Sequence, residues 1–268
     1  SGDRKALLIG INYPNSSGPL KGCINDVRNA QQNILPVYGY QQHEIRVMTD
    51  DLDPSSPDYP SRANILAAMR WLVEDAEHSS VRTIWFSGHG GPEEDLDGDE
   101  DDGNDEAICP ADYETAGTII DDDMNRILVQ SLPPGARLTA IFDCCHSGSA
   151  LDLPLLYNAT GQLKKSNRVA YKKDGTYDAE GDQRKGNKHA DVVFLSGCMD
   201  TQTSSDVPIG NSGIGALTRA FTEVLEASGH EISYGQLLEG IRDMLKAGSF
   251  EQVPQLSAAR KIRLDEIY

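Results

Sequence analysis

Short apolar runs that alternate with segments of helical period constrain this 268-residue chain more than any other feature. Residues 5–13 (KALLIGINY) have the length and character of a strand, and Ile24, Val27, Ala30, Ile34 and Val37 then recur at helical spacing. Residues 44–48 (EIRVM) read as a second strand, after which Ser61 caps a helix whose Ile65, Ala68, Leu72 and Ala76 share one face. Strands at 81–86 (VRTIWF), 137–142 and 191–196 (DVVFLS) continue the series, with helices near 122–131, 214–227 and 234–246. Parallel strands need crossovers, and helices supply them. The alternation therefore predicts an α/β three-layer sandwich, a largely parallel central sheet with helices on both faces. The length suits one globular domain over 1–268.

Forty-two acidic against 24 basic residues give a net charge of −18, which argues against nucleic acid and anionic membrane surfaces as partners. No stretch of about 18 apolar residues occurs, and residues 1–20 lack the pattern of a secretory signal. Ser1-Gly2 resembles the scar of a cleaved tag, under which reading residues upstream of it are absent from this sequence. Cys23, Cys109, Cys144, Cys145 and Cys198 form no CxxC pair or regular framework. Reduced thiols and a cytoplasmic or nuclear setting are the matching expectation.

In open parallel sheets the chemistry sits beyond the carboxyl ends of the strands. Strand 81–86 runs into Ser87-Gly88-His89-Gly90-Gly91, and strand 137–142 into Asp143-Cys144-Cys145-His146-Ser147-Gly148. If the two strands are neighbours, an imidazole and a thiol meet at one edge of the sheet. A thiol is mostly protonated near neutral pH, so an adjacent base is what makes it a nucleophile. Glycines beside both groups let backbone N–H groups approach a developing oxyanion, and Gly90 and Cys145 are the candidate donors. Read from spacing alone, alternatives stand: a lone His or Cys is commonly a packing residue, Cys144 competes as nucleophile and His146 as base. Alternation along the strand end sends Cys144 and Cys145 to opposite sides, with Cys144 toward the core.

SGHGG at 87–91 and DCCHSGS at 143–149, together with GCINDV at 22–27 and ICPAD at 108–112, resemble a type I metacaspase of the caspase-like cysteine peptidase superfamily. The resemblance runs from Lys5 over nearly the whole chain and is weakest at 155–190. It implies a caspase-like sandwich, with about 1–150 corresponding to a large subunit, 155–190 to a mobile basic linker and 191–268 to a small subunit. It also implies a His89–Cys145 dyad, cleavage after Lys or Arg, and a pocket for that basic side chain formed by Cys23, Asp26, Ser87 and Asp143. A buried cation needs a paired carboxylate, which agrees in sign with Asp143 two residues before the nucleophile.

Residues 93–106 carry ten carboxylates and no Lys or Arg, a composition that reads as a solvated loop. No Asp there begins a D-x-D-x-D-G frame, so an EF-hand is excluded and any Ca²⁺ site must be assembled from separate segments. The resemblance names Asp105, Asp121, Asp122 and Asp152 as Ca²⁺ ligands, with the ion an activator outside the chemical step. Asp121 and Asp122 would otherwise complement a helix N-terminus. Paired zinc-ligand spacing is absent. Residues 161–190 hold eight basic and four acidic residues and read as an exposed mobile loop. Lys164, Lys165, Arg168, Lys172, Lys173, Arg184, Lys185 and Lys188 make it a candidate first substrate of the enzyme itself. The resemblance supports calcium-triggered self-cleavage there, as in a zymogen of apoptosis-like pathways, and a monomer. The alternatives are a calcium-responsive caspase-fold binding or scaffold protein with little turnover, and a cysteine hydrolase of non-peptide amides.

Overall fold

The computed structural model describes residues 3–94, 104–144, 150–151, 153–157, 163–164, 190–198, 215–250, 253–260 and 262–268, with backbone alone at 94, 104–105, 163–164 and 198. In chain order the elements are β1 (Arg4–Gly10), α1 (Cys23–Asn29), β2 (Ile45–Thr49), α2 (Arg62–Val73), β3 (Val81–Ser87), β4 (Gly90–Glu94), β5 (Asn104–Ile108) and α3 (Tyr113–Ala116). They continue with β6 (Ile119–Ile120), α4 (Asp121–Met124), β7 (Arg137–Asp143), β8 (Leu155–Tyr157), β9 (Leu163–Lys164), β10 (Asp191–Cys198), α5 (Ala216–Ala227), α6 (Tyr234–Ala247) and β11 (Val253–Ala258). α1 and α4 each run on into a turn of π-helix, Ala30–Ile34 and Asn125–Val129.

The central sheet has the order β2-β1-β3-β7-β10-β11-β8-β9. Its first five strands are parallel, and β11, β8 and β9 add antiparallel pairs at one edge. Side chains alternate across it. Leu7, Ile9, Ile84, Phe86, Phe142 and Phe194 face a core closed by α2 and the α4 segment, through Ile65, Met69, Leu72 and Leu128. Ala6, Leu8, Trp85, Ile141, Val193 and Leu195 face a second core closed by α1, α5 and α6, through Val27, Leu217, Phe221, Leu238 and Ile241. The parallel sheet covered on both faces is the predicted architecture. Ser61 caps α2, accepting a hydrogen bond from the Asn64 N–H at 3.3 Å. No described helix is long and apolar enough to cross a membrane.

Two expectations are corrected. A polar loop was expected between β3 and the helix near 122, yet 90–94, 104–108 and 119–120 form a small antiparallel sheet in the order β4-β5-β6. A strand of Gly, Pro and Glu has none of the β-branched composition that marks strands locally; pairing with β5 makes it one. A mobile linker was expected from 155, but Leu155–Tyr157 is β8, paired with β11 and with Leu155 and Tyr157 buried. Three residues carry too little pattern to reveal the sheet they join. Of the remaining linker only Leu163–Lys164, paired with β8, and the buried Ala190 are among the described residues.

Candidate active site

Strands β1, β3 and β7 end level with one another: Gly10 pairs with Ser87, and Ser87 with Asp143. The chain segments that follow all three therefore emerge at one place, and β3 and β7 are the neighbours that the proposed chemistry requires.

His89 lies two residues beyond β3 and is 7% exposed. Its Nε2 is 2.6 Å from the Gly18 carbonyl oxygen. A carbonyl only accepts, so Nε2 carries the proton and Nδ1 holds the lone pair of the neutral ring. Burial pushes the imidazole pKa below its usual value, opposed by the Gly18 carbonyl, so the neutral base is the resting form. The same carbonyl would stabilise an imidazolium formed during reaction.

Tyr13 supports this ring, and it was missed in the sequence. Its aromatic ring lies 4.6 Å from the imidazole centroid, and its hydroxyl accepts from the His89 N–H at 2.9 Å while donating to the Cys109 carbonyl at 2.6 Å. Tyr13 has φ 50, a left-handed conformation uncommon outside glycine. The Asp50 carboxylate stabilises that turn by accepting from the Asn12 N–H at 2.9 Å and the Tyr13 N–H at 2.7 Å. Gly88 is required beside it, because a Cβ there would lie 2.8 Å from the Tyr13 hydroxyl and from Phe86. Nothing in the spacing of the Asn12-Tyr13-Pro14 turn signals this role.

The Cys109 N–H donates to the His89 carbonyl at 3.0 Å, which makes Gly90 and Ile108 a non-hydrogen-bonded pair. The Gly90 N–H therefore points away from β5, at the outer edge of the small sheet.

The four residues expected to form a basic-side-chain pocket come together. Cys23, Ser87 and Asp143 are fully buried, and Asp26 is partly buried. Ser87 Oγ donates to Asp26 Oδ2 at 2.9 Å. Asp143 Oδ2 accepts from the Thr218 N–H at 2.7 Å in the first turn of α5, where the helix N-terminus favours a carboxylate. Burial, and then the charge of Asp143, push the Asp26 carboxyl up to about 7. Gly10 lets α1 approach, since a Cβ there would meet the Cys23 carbonyl at 2.5 Å. Gly215, at φ +85, leaves space next to Asp26, where a Cβ would lie 3.1 Å from Oδ2. Gly215 and Thr218 were not singled out in the sequence; their part depends on α5 packing over the ends of β3 and β7.

The described thiols are poor nucleophiles. Burial pushes Cys23 up to about 12 and Cys109 up to about 11, and Cys144 is fully buried, toward the core as alternation predicts. Cys145 and His146 lie outside the described residues.

Of the expected Ca²⁺ ligands, Asp121 is fully buried at the start of α4, and its Oδ1 accepts from the Asp122 N–H at 2.9 Å. The β5–β6 register, Ala107 with Ile120, carries the backbone at Asp105 toward the same helix start. The Asp105 side chain and Asp152 lie outside the description, and no group of three or more His, Cys, Asp or Glu suited to a metal occurs among the described residues. Asn125, fully buried one turn on, donates to the Leu151 carbonyl at 2.7 Å and ties α4 to the residue before Asp152.

Comparison with known proteins shows the family and the fold. The profile of the metacaspase, peptidase C14 domain, matches residues 4–154. Metacaspase-1 of Ajellomyces capsulatus is 44% identical over the whole chain and 83% of its own length, and Metacaspase-1 of Schizosaccharomyces pombe is 43% identical over 98% of the chain and 69% of its length. Among solved structures, a protein from Geobacter sulfurreducens superposes with a TM-score of 0.63 at 22% identity, covering 98% of this chain and 97% of that one. Caspase-1 from Spodoptera frugiperda gives 0.52 at 13% identity, covering 96% and 87%. The fold is thus caspase-like, and the chain belongs to the metacaspases, of the type I kind, a family of cysteine peptidases.

Proposed function

We propose that this chain is a calcium-stimulated cysteine endopeptidase that cleaves after Lys or Arg. The observation that supports the specificity is the pair of carboxylates, Asp26 and Asp143, brought together with Ser87 at the ends of β3 and β7, the strands that precede His89 and Cys145 in the chain. Burial, and then the charge of Asp143, raises the Asp26 pKa, and a Lys or Arg side chain entering between the two carboxylates would offset both.

In the chemical step, His89 Nδ1 takes the proton of Cys145, and the thiolate attacks the carbonyl that follows the bound basic residue. The N–H groups of Gly90 and Cys145 receive the oxyanion. His89, held in orientation by the Gly18 carbonyl and by Tyr13, returns the proton to the leaving amine, and water hydrolyses the acyl-enzyme.

Ca²⁺, held by Asp105, Asp121, Asp122 and Asp152, acts as an activator. The fit is supported by the carboxylates of Asp121 and Asp122 at the start of α4, a chemistry suited to a hard cation, and by the Asn125 link to Leu151. The basic 161–190 loop is the substrate in self-cleavage. Arg- and Lys-terminated fluorogenic peptides, assayed with and without calcium for the natural chain, Cys145→Ala and Cys144→Ala, test the reading. Activity retained in Cys145→Ala and lost in Cys144→Ala would overturn the nucleophile. Mass spectrometry of the chain after calcium addition tests self-cleavage; an intact chain under conditions that cleave a peptide refutes it.

A further inference from the structure

The metacaspase reading leaves unassigned a cavity of about 470 Å³ lined in part by Tyr13, the residue whose ring contacts the His89 imidazole. Its walls include Tyr13, Tyr59 and Tyr113, and its acidic groups are Asp50, Asp112 and Glu114. No Lys, Arg or His lines it, and none of the three carboxylates has an ion-pair partner among the described residues. Two of them are fixed in place: Asp50 by the Asn12 and Tyr13 N–H groups, and Asp112 by the Arg62 N–H at 2.8 Å. The third, Glu114, is exposed at the rim.

The position follows from the sheet. Asp26 and Gly215 belong to the face covered by α1 and α5, whereas the cavity is built by the residues after β1 and β2 and by the segment around α3, on the α2 side. Tyr13 is shared: its ring contacts His89 at 4.6 Å, and Tyr113 meets it edge-on at 6.1 Å. His89 must protonate the leaving amine, so the leaving segment of a substrate passes on the His89 side of the scissile bond. From the imidazole to the Tyr113 ring is at most about 11 Å, a span that an extended peptide at about 3.3 Å per residue covers in three residues.

We infer that this cavity is a leaving-side subsite that takes a Lys or Arg side chain about three residues after the scissile bond, its stem against the tyrosine rings and its charge among Asp50, Asp112 and Glu114. Aromatic faces and carboxylates together suit a cation with an apolar stem better than either suits an acid or a small polar group. The inference rests on the peptidase reading and adds a second basic preference, on the other side of the cleaved bond.

The test uses internally quenched peptides with one Arg before the scissile bond and either Lys or Asp at the third position after it, with kcat/KM measured in calcium. The Lys peptide is expected to be favoured about tenfold, since partly exposed ion pairs and cation–π contacts each contribute modestly. Glu114→Lys should bring the ratio to about one or below, and Tyr113→Ala should lower it about threefold. Should Tyr113→Ala fail to fold by circular dichroism, Glu114→Lys at its exposed position carries the decision. Lys and Asp peptides cleaved within twofold of one another, or a ratio unmoved by Glu114→Lys, overturn the subsite while the peptidase reading stands. No cleavage after Arg in any peptide overturns both.

Discussion

Replacing Asp26 with Asn should make the protein more stable and less active, in a pH window set by its surroundings. Burial and the Asp143 charge raise the Asp26 carboxyl from 3.8 to about 7. Between those values the folded state holds a proton that the unfolded chain has released, so stability is full below about pH 4 and falls as pH rises through 7. The rise from 3.8 to about 7 corresponds to about 4 kcal/mol. Coupling to Asp143, and loss of the charge-assisted bond from Ser87 Oγ, bring the expected gain for Asp26→Asn at pH 8 to about 2 kcal/mol. In a chain of this size that is a rise in Tm of about 4 °C. At pH 5 the folded natural carboxyl is protonated but the unfolded one is not, so over a third of the penalty is already present and the expected gain is about 0.7 kcal/mol. Differential scanning calorimetry of both proteins at pH 5 and pH 8, with Cys145→Ala as the common background to prevent self-cleavage, measures this. Equal destabilisation at both pH values would refute the reasoning, because it would mean that Asp26 acts as a structural hydrogen-bond acceptor and carries no strained charge. Activity should move the other way: kcat/KM for Arg peptides should fall about 100-fold, from the loss of a partly buried ion pair with substrate.

The same titration predicts that for the natural protein KM for an Arg peptide rises as pH drops below about 7, where Asp26 is protonated. Because burial lowers the His89 pKa, kcat should hold to lower pH than kcat/KM, and pH profiles of the two separate the groups. Tyr13→Phe removes the acceptor of the His89 N–H and the donor to Cys109; a loss of about 2 kcal/mol by urea denaturation and a kcat reduced about tenfold are expected, with KM little changed. Gly88→Ala forces a methyl against the Tyr13 hydroxyl and Phe86, and should cost about 1–3 kcal/mol with loss of turnover. Asn125→Ala leaves the Leu151 carbonyl and the Gln130 amide without their buried partner, for about 2 kcal/mol in denaturant and a higher calcium concentration for half-maximal activity in the peptide assay.

Local pattern was sufficient for the layered sheet and for the strand ends at Ser87 and Asp143, which precede His89 and Cys145 in the chain. A strand buried on both faces shows as a continuous apolar run, and the helices between such runs show as a 3.6-residue period, so β1, β3, β7, β10, α2, α5 and α6 were legible. Alternation was enough to send Cys144 into the core. The motifs also brought Cys23, Asp26, Ser87 and Asp143 to notice as one set.

Tertiary structure decided the rest, because the groups concerned act through contacts between segments distant in sequence. β4 and β8 exist through their pairing with β5 and β11. The tautomer of His89 depends on a carbonyl 71 residues earlier, and its support on a tyrosine in a turn that Asp50 holds from another strand end. Asp143 meets the N-terminus of α5, 75 residues later, and Asp26 becomes a carboxyl with a pKa of about 7 when burial and Asp143 surround it. Sequence periodicity records which side of an element is apolar; the electrostatic state of a site depends on what the fold packs against it.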